Sequence, residues 1–408
     1  MFLRKRKYEG SGSLSRIAWK RFRKNRLSYA ALWFIFCTMI LGALGYQITP
    51  DRSPFANDQH IELAAKKPGF SCQMLLITKN EPSVKTSWFH TMVFGEKYPY
   101  FSIPFNNYQI DSLILTIDEY SDPPETDPIQ YSFELADIAF PLEPGKTVLL
   151  SNDTVYIPVQ GGKTEILTLN DLQEKVINNH IIKKQYLLGS DRFGRDMLSM
   201  LLIGIRVSLS VGFISVLISL VIGITLGALA GFFRGWVDHL VVWFINVIWS
   251  IPTLLMVIAI TFALGKGFWQ VFVAVGLTMW VEVARVVRGQ ILSFREKEFV
   301  EAGKALGFSN FRIIFRHILP NIMGPVVVIS SANFASAILI EAGLSFLGIG
   351  VQPPMPSWGT MIRENYPYII LDAAHLAIFP GLAIMFMVLA FMIMGNGLRN
   401  ALDIKISH

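Results

Sequence analysis

Residues Glu298–Pro320 read EFVEAGKALGFSNFRIIFRHILP, a charged, amphipathic island between two long apolar segments. From Glu298 onward, Phe299, Ala302, Gly303 and Leu306 fall at i, i+3, i+4 and i+7, the spacing of one helical face. Gly307 stands where that helix should end, because glycine enters the left-handed C′ conformation without steric cost. Ser309 is placed to cap a second short helix through Phe311, Ile314 and Phe315. Pro320 is expected to hold Leu319 out of the α region and to open the next helix as its first residue. The stretch predicts helix, sharp turn, helix and re-entry into an apolar span, a knob shaped for a soluble partner.

The surroundings of this island exclude a water-soluble globule. Of 408 residues, 52% are hydrophobic and 16% charged, against about 25% charged in soluble domains. Several apolar runs reach the roughly 20 residues that cross a bilayer as a helix. The net charge of +6 fits basic residues collecting in cytoplasmic loops. No basic face with interleaved aromatics appears outside the first tail, which argues against nucleic acid. Cys37 lies in an apolar span and Cys72 in a polar region, so no disulfide is implied.

Residues 1–26 form a basic tail, with Arg4, Lys5, Arg6, Lys7, Arg16, Lys20, Arg21, Arg23, Lys24 and Arg26 against Glu9. The apolar run 27–48 is longer than a signal-peptide core and lacks an A-x-A-like site, so it reads as a retained first span with a cytoplasmic N-terminus. Trp19 and Phe22 suit either the headgroup level or an ordinary helix face. Residues 49–187 are polar, with β-favouring runs Met74–Thr78, Leu113–Ile117, Thr147–Leu150 and Thr154–Val159. Asp122-Pro123-Pro124 and Gly161-Gly162 signal turns, and Leu172–Ile182 has a helical pattern. A β-rich extracytoplasmic insert is the expectation. Gly145-Lys146-Thr147 and Gly162-Lys163-Thr164 tempt a phosphate-loop reading. Phe140 and Ile157 stand where the earlier glycine is required, so no nucleotide site is expected here.

Residues 188–408 form the expected core. The stretch Leu188–Asp196 precedes an apolar stripe of Leu198, Leu201, Leu202 and Ile205, then Arg206 and a second span, about 207–233. Gly204, Gly212, Gly223, Gly227 and Gly231 include Gly-x-x-x-Gly spacings that permit close helix contact. A third span, about 240–264, contains Pro252 and is expected to kink there. The fourth, about 268–287, ends in Arg285 and Arg288; the fifth, about 321–347, is interrupted at Gly324-Pro325. A Pro- and aromatic-rich loop, 351–372, leads to the sixth, about 376–394, which stops before Arg399 and Lys405. Counted from a cytoplasmic N-terminus, the Arg234 loop and segment 288–320 face inward, and the Lys266 and Arg363 loops outward. Both termini are then cytoplasmic, and charge agrees with span count.

Glu301-Ala302-Gly303, Gly307 and Ile318-Leu319-Pro320 resemble the EAA loop of permease subunits in ATP-binding-cassette importers. Gly303 stands where the family usually has Ala, which weakens helix propensity by about 1 kcal/mol. Leu188-Gly-Ser-Asp, Gly194-Arg195-Asp196, Gly204-Ile-Arg206-Val-Ser208 and Trp280 with Ala284-Arg285-Val-Val-Arg288-Gly289-Gln290 are similar to the dipeptide/oligopeptide importer group. So are Arg295-Glu-Lys-Glu298, Glu341-Ala-Gly-Leu-Ser345-Phe-Leu-Gly348 and Pro356-Ser357-Trp358-Gly359. The basic tail matches as well; the insert does not. The resemblance implies an all-α integral membrane protein with six transmembrane helices of the type I ABC importer permease fold, carrying a β-rich insert after the first helix. It further implies that Glu301, Ala302, Gly303, Gly307, Leu319 and Pro320 contact an ATPase, with ATP and Mg on partner subunits and no cofactor in this chain. The implied partners are a second permease, two ATPase subunits, an extracytoplasmic substrate-binding protein and membrane lipid. The implied activity is import of di- or oligopeptides across the bacterial inner membrane by alternating access.

Glu282 and Glu341 are carboxylates in or near apolar spans, where acids mark ion paths by default. Glu282 is expected to pair with Arg285 at i+3, and Glu341 to be structural near a span's outer end. His317 and His375 have no metal-ligating partner at helical spacing. Gly194, Arg195 and Asp196 are expected to fix a turn. Competing classes make different demands. A plain connector with a membrane-surface helix needs neither a second helix nor a glycine turn. An ion-coupled secondary transporter calls for two related halves with paired broken spans. An ABC importer of nickel or another small solute would use the same coupling residues. A membrane hydrolase would need H-E-x-x-H or G-x-S-x-G, and neither occurs.

Overall fold

The computed structural model describes residues 14–81, 87–265 and 267–402; the expectations for Arg4, Lys5, Arg6, Lys7, Glu9, Lys266 and Lys405 lie outside them. Helices α1 (Leu14–Lys24), α2 (Arg26–Ala43) and α3 (Gly45–Ile48) open the chain. The next region holds β1 (Phe70–Thr78), α4 (Trp88–Phe94), β2 (Tyr100–Asp111), β3 (Ile114–Glu119), β4 (Gln130–Glu134) and α5 (Leu135–Ala139). It continues through β5 (Leu149–Ser151), β6 (Thr154–Val159), β7 (Lys163–Thr168), α6 (Leu169–His180) and β8 (Ile181–Tyr186). Then come α7 (Met197–Phe233), α8 (Gly235–Trp249), α9 (Thr253–Leu264), α10 (Phe268–Phe294), α11 (Glu298–Ala305), α12 (Asn310–Arg312), α13 (Leu319–Phe346), α14 (Trp358–Asn365) and α15 (His375–Leu402). Packing divides the chain into two compact units: Met1–Gly42 with Gly204–Arg363 and Pro380–His408, and Ala43–Ile203 with Glu364–Phe379.

In the second of these units, five antiparallel strands run in the order β4-β3-β2-β1-β8, beside a three-stranded sheet β5-β6-β7. Alternation puts Val155, Ile157 and Val159 of β6 into a core shared with Leu75, Phe105, Leu115, Ile117, Leu172 and Val176. Gly161 and Gly162 turn β6 into β7, as the paired glycines predict. The helical pattern expected to reach Ile182 stops at His180. From Ile181 the chain extends as β8 along β1, which pairs it with residues 70–75. Strands β2, β4, β7 and β8 were not expected; β4, β7 and β8 are short with few buried residues, and Asn106-Asn107 interrupts β2 where its pairing with β3 slips. β8 also carries Lys184, whose ammonium reaches the Asp58 carboxylate at 2.9 Å.

In the helical unit, Gly223, Gly227 and Gly231 form one stripe of α7 that meets the backbone of α10. A Cβ at Gly227 would lie 2.5 Å from the Ala284 carbonyl oxygen, and one at Gly231 2.8 Å from that of Arg288. Helix α13 packs beside α10 along its length, and Phe334 stacks on Phe391 of α15 at 4.1 Å. Ser28 of α2 donates to the Ile393 carbonyl at 3.2 Å. Phe22 is buried against this packing while Trp19 stays exposed, so only Trp19 remains for a headgroup role.

Several spans differ from expectation: the first helix stops at Ala43, the second begins at Met197 and the fourth runs on to Phe294. The third is not kinked but broken: α8 and α9 meet at 96° around Pro252, and neither alone is long enough to cross. The pair still carries the chain across. Arg288 of α10 grips Asp238 near the start of α8 at 2.7 Å, and Arg295 donates to the Phe232 carbonyl at the end of α7 at 2.6 Å. The end of α10 therefore lies beside the start of α8, and α9 must deliver the chain to the far end of α10. The fifth span is not interrupted at Gly324-Pro325; one helical rod runs Asn310–Phe346 with Pro325 inside it. The sixth extends to Leu402, well past the expected stop. The loop 351–372 also contains α14. With the bent pair counted as one, the described residues carry six candidate spans, a mostly helical membrane fold with a β-rich insert.

Candidate functional site

Segment Glu298–Pro320 builds a knob whose parts follow from its sequence. Lys304 closes the last turn of α11, and Gly307 adopts φ +78°. The Gly307 amide donates to the Lys304 carbonyl at 2.9 Å and that of Phe308 to the Gly303 carbonyl at 3.0 Å. This double closure is a Schellman cap, which only a left-handed residue at position 307 permits. Ser309 then caps α12, its hydroxyl accepting from the Arg312 amide. The guanidinium of Arg312 covers the Phe308 ring, which also stacks on His317 at 5.7 Å.

The face that packs lies beside the apolar stripe rather than on it. Val300 and Gly303 turn inward and join Ile313, Ile314, Ile318, Val287 and Ile291 in one core, which fixes the knob to the bundle. Phe299, Ala302 and Leu306 face out, and Leu306 is 72% exposed. Phe311 and Phe315 stack on each other at 6.3 Å and are also exposed. Phe299, Ala302 and Leu306 of the stripe are thus displayed, while its Gly303 packs inward beside Val300, the residue aimed at the bundle.

Leu319 was expected outside the α region, yet it is helical at φ −55°, ψ −43°. The chain accommodates Pro320 differently: Ile313–Ile318 widens into a π turn, so the proline ring and its missing N–H fall within a loosened ladder. Asn321 donates its side-chain amide to the His317 carbonyl at 2.6 Å. Of the predicted site residues, Gly303 and Gly307 meet in the cap, and Glu301 and Ala302 are exposed beside them. Leu319 is half-buried and Pro320 exposed on the following rod. Glu301 makes no ion pair among the described residues. The part that periodicity missed is the anchor: Val300, the π turn and Phe308. A buried β-branched residue one step off the apparent stripe was the signal.

The other singled-out residues resolve into structure. Gly162-Lys163-Thr164 leads into strand β7 and Gly145-Lys146-Thr147 lies in a loop, so neither has the strand–loop–helix frame of a phosphate site. Asp191 is the hub of the 188–196 turn: it accepts from the Phe193 amide at 3.0 Å, the Arg195 amide at 2.8 Å and Arg195 Nε at 2.8 Å. Glu364 reaches the same guanidinium at 2.6 Å, and Asp196 caps the start of α7 through the Ser199 amide at 2.7 Å. Glu341 is fully buried and accepts from Ser345 at 2.7 Å, in a corner closed by Ser357 and Gly359. Cys37 and Cys72 are unpaired.

Glu282 does not pair with Arg285. The Arg285 guanidinium instead sits over the Trp249 ring at 4.4 Å, leaving Glu282 without an ion pair among the described residues. Glu282 lines a cavity of about 320 Å³ beside the α8–α9 break, with Trp249, Thr253, Thr278, Ser336 and Leu339.

These features agree with what known proteins resemble. Residues 223–408 match the family described as binding-protein-dependent transport system inner membrane component, and 13–68 match the N-terminal TM domain of oligopeptide transport permease C. A glutathione transport system permease of Pectobacterium atrosepticum is 43% identical over 54% of this chain and 72% of its own length. A dipeptide transport system permease of Alkalihalophilus pseudofirmus is 41% identical over 54% and 72%. An oligopeptide transport system permease of Bacillus subtilis is 37% identical over 55% and 73%. A family of transport permeases decides against the ion-coupled and hydrolase readings, and it implies ATPase and substrate-binding partners in general. With its apolar spans and its permease motifs on the page, this chain belongs to the inner-membrane permeases of binding-protein-dependent ABC importers, in the dipeptide/oligopeptide group.

Proposed function

We propose that this chain imports di- or oligopeptides across the bacterial inner membrane, paired with a second permease and driven by two ATPase subunits that hold ATP and Mg. An extracytoplasmic binding protein delivers the cargo, and this chain binds no cofactor of its own. In this reading residues 1–26 are a cytoplasmic tail and 27–48 the first span. Residues 49–187 form the extracytoplasmic insert, and 188–408 the permease core with its coupling loop 288–320. Both termini are cytoplasmic.

The observation that carries the coupling role is the displayed stripe. Phe299, Leu306, Phe311 and Phe315 are exposed on a knob that Val300 anchors rigidly to the bundle. Apolar side chains arrayed on a fixed, charged knob fit a groove on a protein, and helix motion there passes directly into α10 and α13. Glu301, Ala302 and Gly307 form the contact; Gly303, expected there as well, is buried behind it and shapes the turn, and Leu319 and Pro320 join it to the span. The peptide cargo follows from the relatives named above. The test is ATP-driven uptake of a labelled peptide by the reconstituted complex. Replacing Glu301 by Arg together with Gly307 by Val should abolish uptake while ATP hydrolysis by the assembled complex continues. Undiminished uptake would sink the coupling assignment.

A further inference from the structure

We infer that the cavity at the α8–α9 break recognises cargo, with the Glu282 carboxylate receiving a cationic amine such as the ammonium of a peptide's N-terminus. The inference rests on the peptide-import reading. Glu282 lies fourteen residues after Phe268 and twelve before Phe294, so about 20 Å of helix separates it from either end of α10. Arg288, paired with Asp238 at the start of α8, marks the inner end of the span, so Glu282 lies about 9 Å within it, in its inner half. A carboxylate at this depth is retained only where it faces protein or a water-filled path.

The structure removes the protein partner that the sequence offered. Arg285 is turned onto Trp249, Arg288 is committed to Asp238, and α9 carries no charged residue. The sole charged group on α13 is Glu341, which has the same sign and is buried in its own corner. No cation of this chain's described residues forms an ion pair with Glu282, so its carboxylate is left open to a cation from outside the chain.

The lining specifies which cation. Thr278 and Ser336 supply hydroxyl oxygens, and Trp249 and Leu339 supply apolar surface, in about 320 Å³. That volume holds the end of a small organic ligand rather than a bare ion. A divalent metal would need several oxygen or nitrogen donors around it. No group of three His, Cys, Asp or Glu side chains exists among the described residues. An ammonium needs fewer: one carboxylate, hydroxyl acceptors and an aromatic face. The broken span supports the same end, since non-helical backbone at membrane depth is tolerated where it lines a cavity, and discontinuous helices build transporter binding sites.

The experiment measures ATP-driven uptake of radiolabelled trialanine by the full complex in vesicles, with its binding protein present. It compares wild type, Glu282→Gln and Glu282→Asp, with and without an imposed proton gradient. Losing a charge-assisted contact should lower Glu282→Gln uptake about tenfold or more, whereas Glu282→Asp keeps most of it. Uptake by Glu282→Gln within about twofold of wild type would overturn the inference, being below the effect of such a contact. So would equal losses in both variants with a lowered melting temperature, which marks a structural carboxylate. Gradient-dependent uptake that Glu282→Gln abolishes would assign a proton path instead. A wild-type complex that takes up no peptide refutes the cargo reading itself, and the inference with it.

Discussion

Replacing Gly307 separates backbone geometry from bulk. The residue sits at φ +78°, and a Cβ built there would meet nothing within 4 Å. Gly307→Ala therefore introduces no clash, and its cost is that of an L-residue in the left-handed region, roughly 1–2 kcal/mol. That lowers the population of the capped turn by a factor of about 5–30 relative to competing conformations. Asparagine is bulkier than alanine but tolerates the left-handed region, so Gly307→Asn should be milder. Valine combines β-branching with positive φ and should be worst. The expected order of peptide uptake per ATP hydrolysed is Gly, then Asn, then Ala, then Val. The assay is the reconstituted complex, with labelled peptide and phosphate release followed together. If Asn proves worse than Ala, side-chain size against the partner decides, not φ. If Ala and Val match wild type, the Schellman cap has no role in coupling.

Gly303→Ala should stabilise the knob by about 1 kcal/mol through helix propensity. Its Cβ would fall 3.5 Å from Phe308 and 3.8 Å from Ile313, ordinary contacts, and slower proteolysis within 298–320 would show the gain. Gly227→Leu should cost about 1–3 kcal/mol or more by overpacking α7 on α10 and lower the melting temperature in detergent; an unchanged melt would mean the helices do not approach as closely as 2.5 Å from Cβ to the Ala284 oxygen. Asp191→Ala should cost about 3–5 kcal/mol by stranding buried donors, toward the lower end because Glu364 still holds Arg195. Its check is the same melt, with Glu364→Ala/Asp191→Ala expected to exceed either single change. Burial pushes the Asp58 carboxyl up, but the His60 hydrogen bond and the Lys184 ammonium outweigh it and hold it below the usual carboxylate range. A lowered carboxyl contributes stability above the unfolded value of about 3.9 and loses it as pH falls through the folded one. Acidification below about pH 4 should then weaken the wild type more than Asp58→Asn, read as a smaller acid-side fall in melting temperature.

Much of this protein was legible without coordinates because its signals are local. The long apolar runs, the glycine at a helix end, the serine after it and the alternation in 154–159 each depend on a few neighbouring residues. Local chemistry of that kind acts the same wherever the segment lies. The motifs at 188–196 and 341–359 were recognisable as patterns, but their meaning as buried polar corners needed partners far along the chain, such as Glu364 for Arg195.

What only the tertiary structure decided concerns orientation and competition. The sequence alone determined that residues 298–306 form a helix ending at Gly307. It could not say that Val300, rather than the Phe299–Leu306 stripe, would face the bundle, because that depends on where α10 and α13 stand. Proline at 320 and 325 predicted breaks that a π turn and a continuous rod absorbed, since a packed helix can widen locally at less cost than it can lose its core contacts. At Pro252 the chain broke instead. Arg285 had one partner within reach by spacing, Glu282. Trp249 won, for a cation can stack on a ring that tertiary packing delivers, and no spacing along one helix contains that ring.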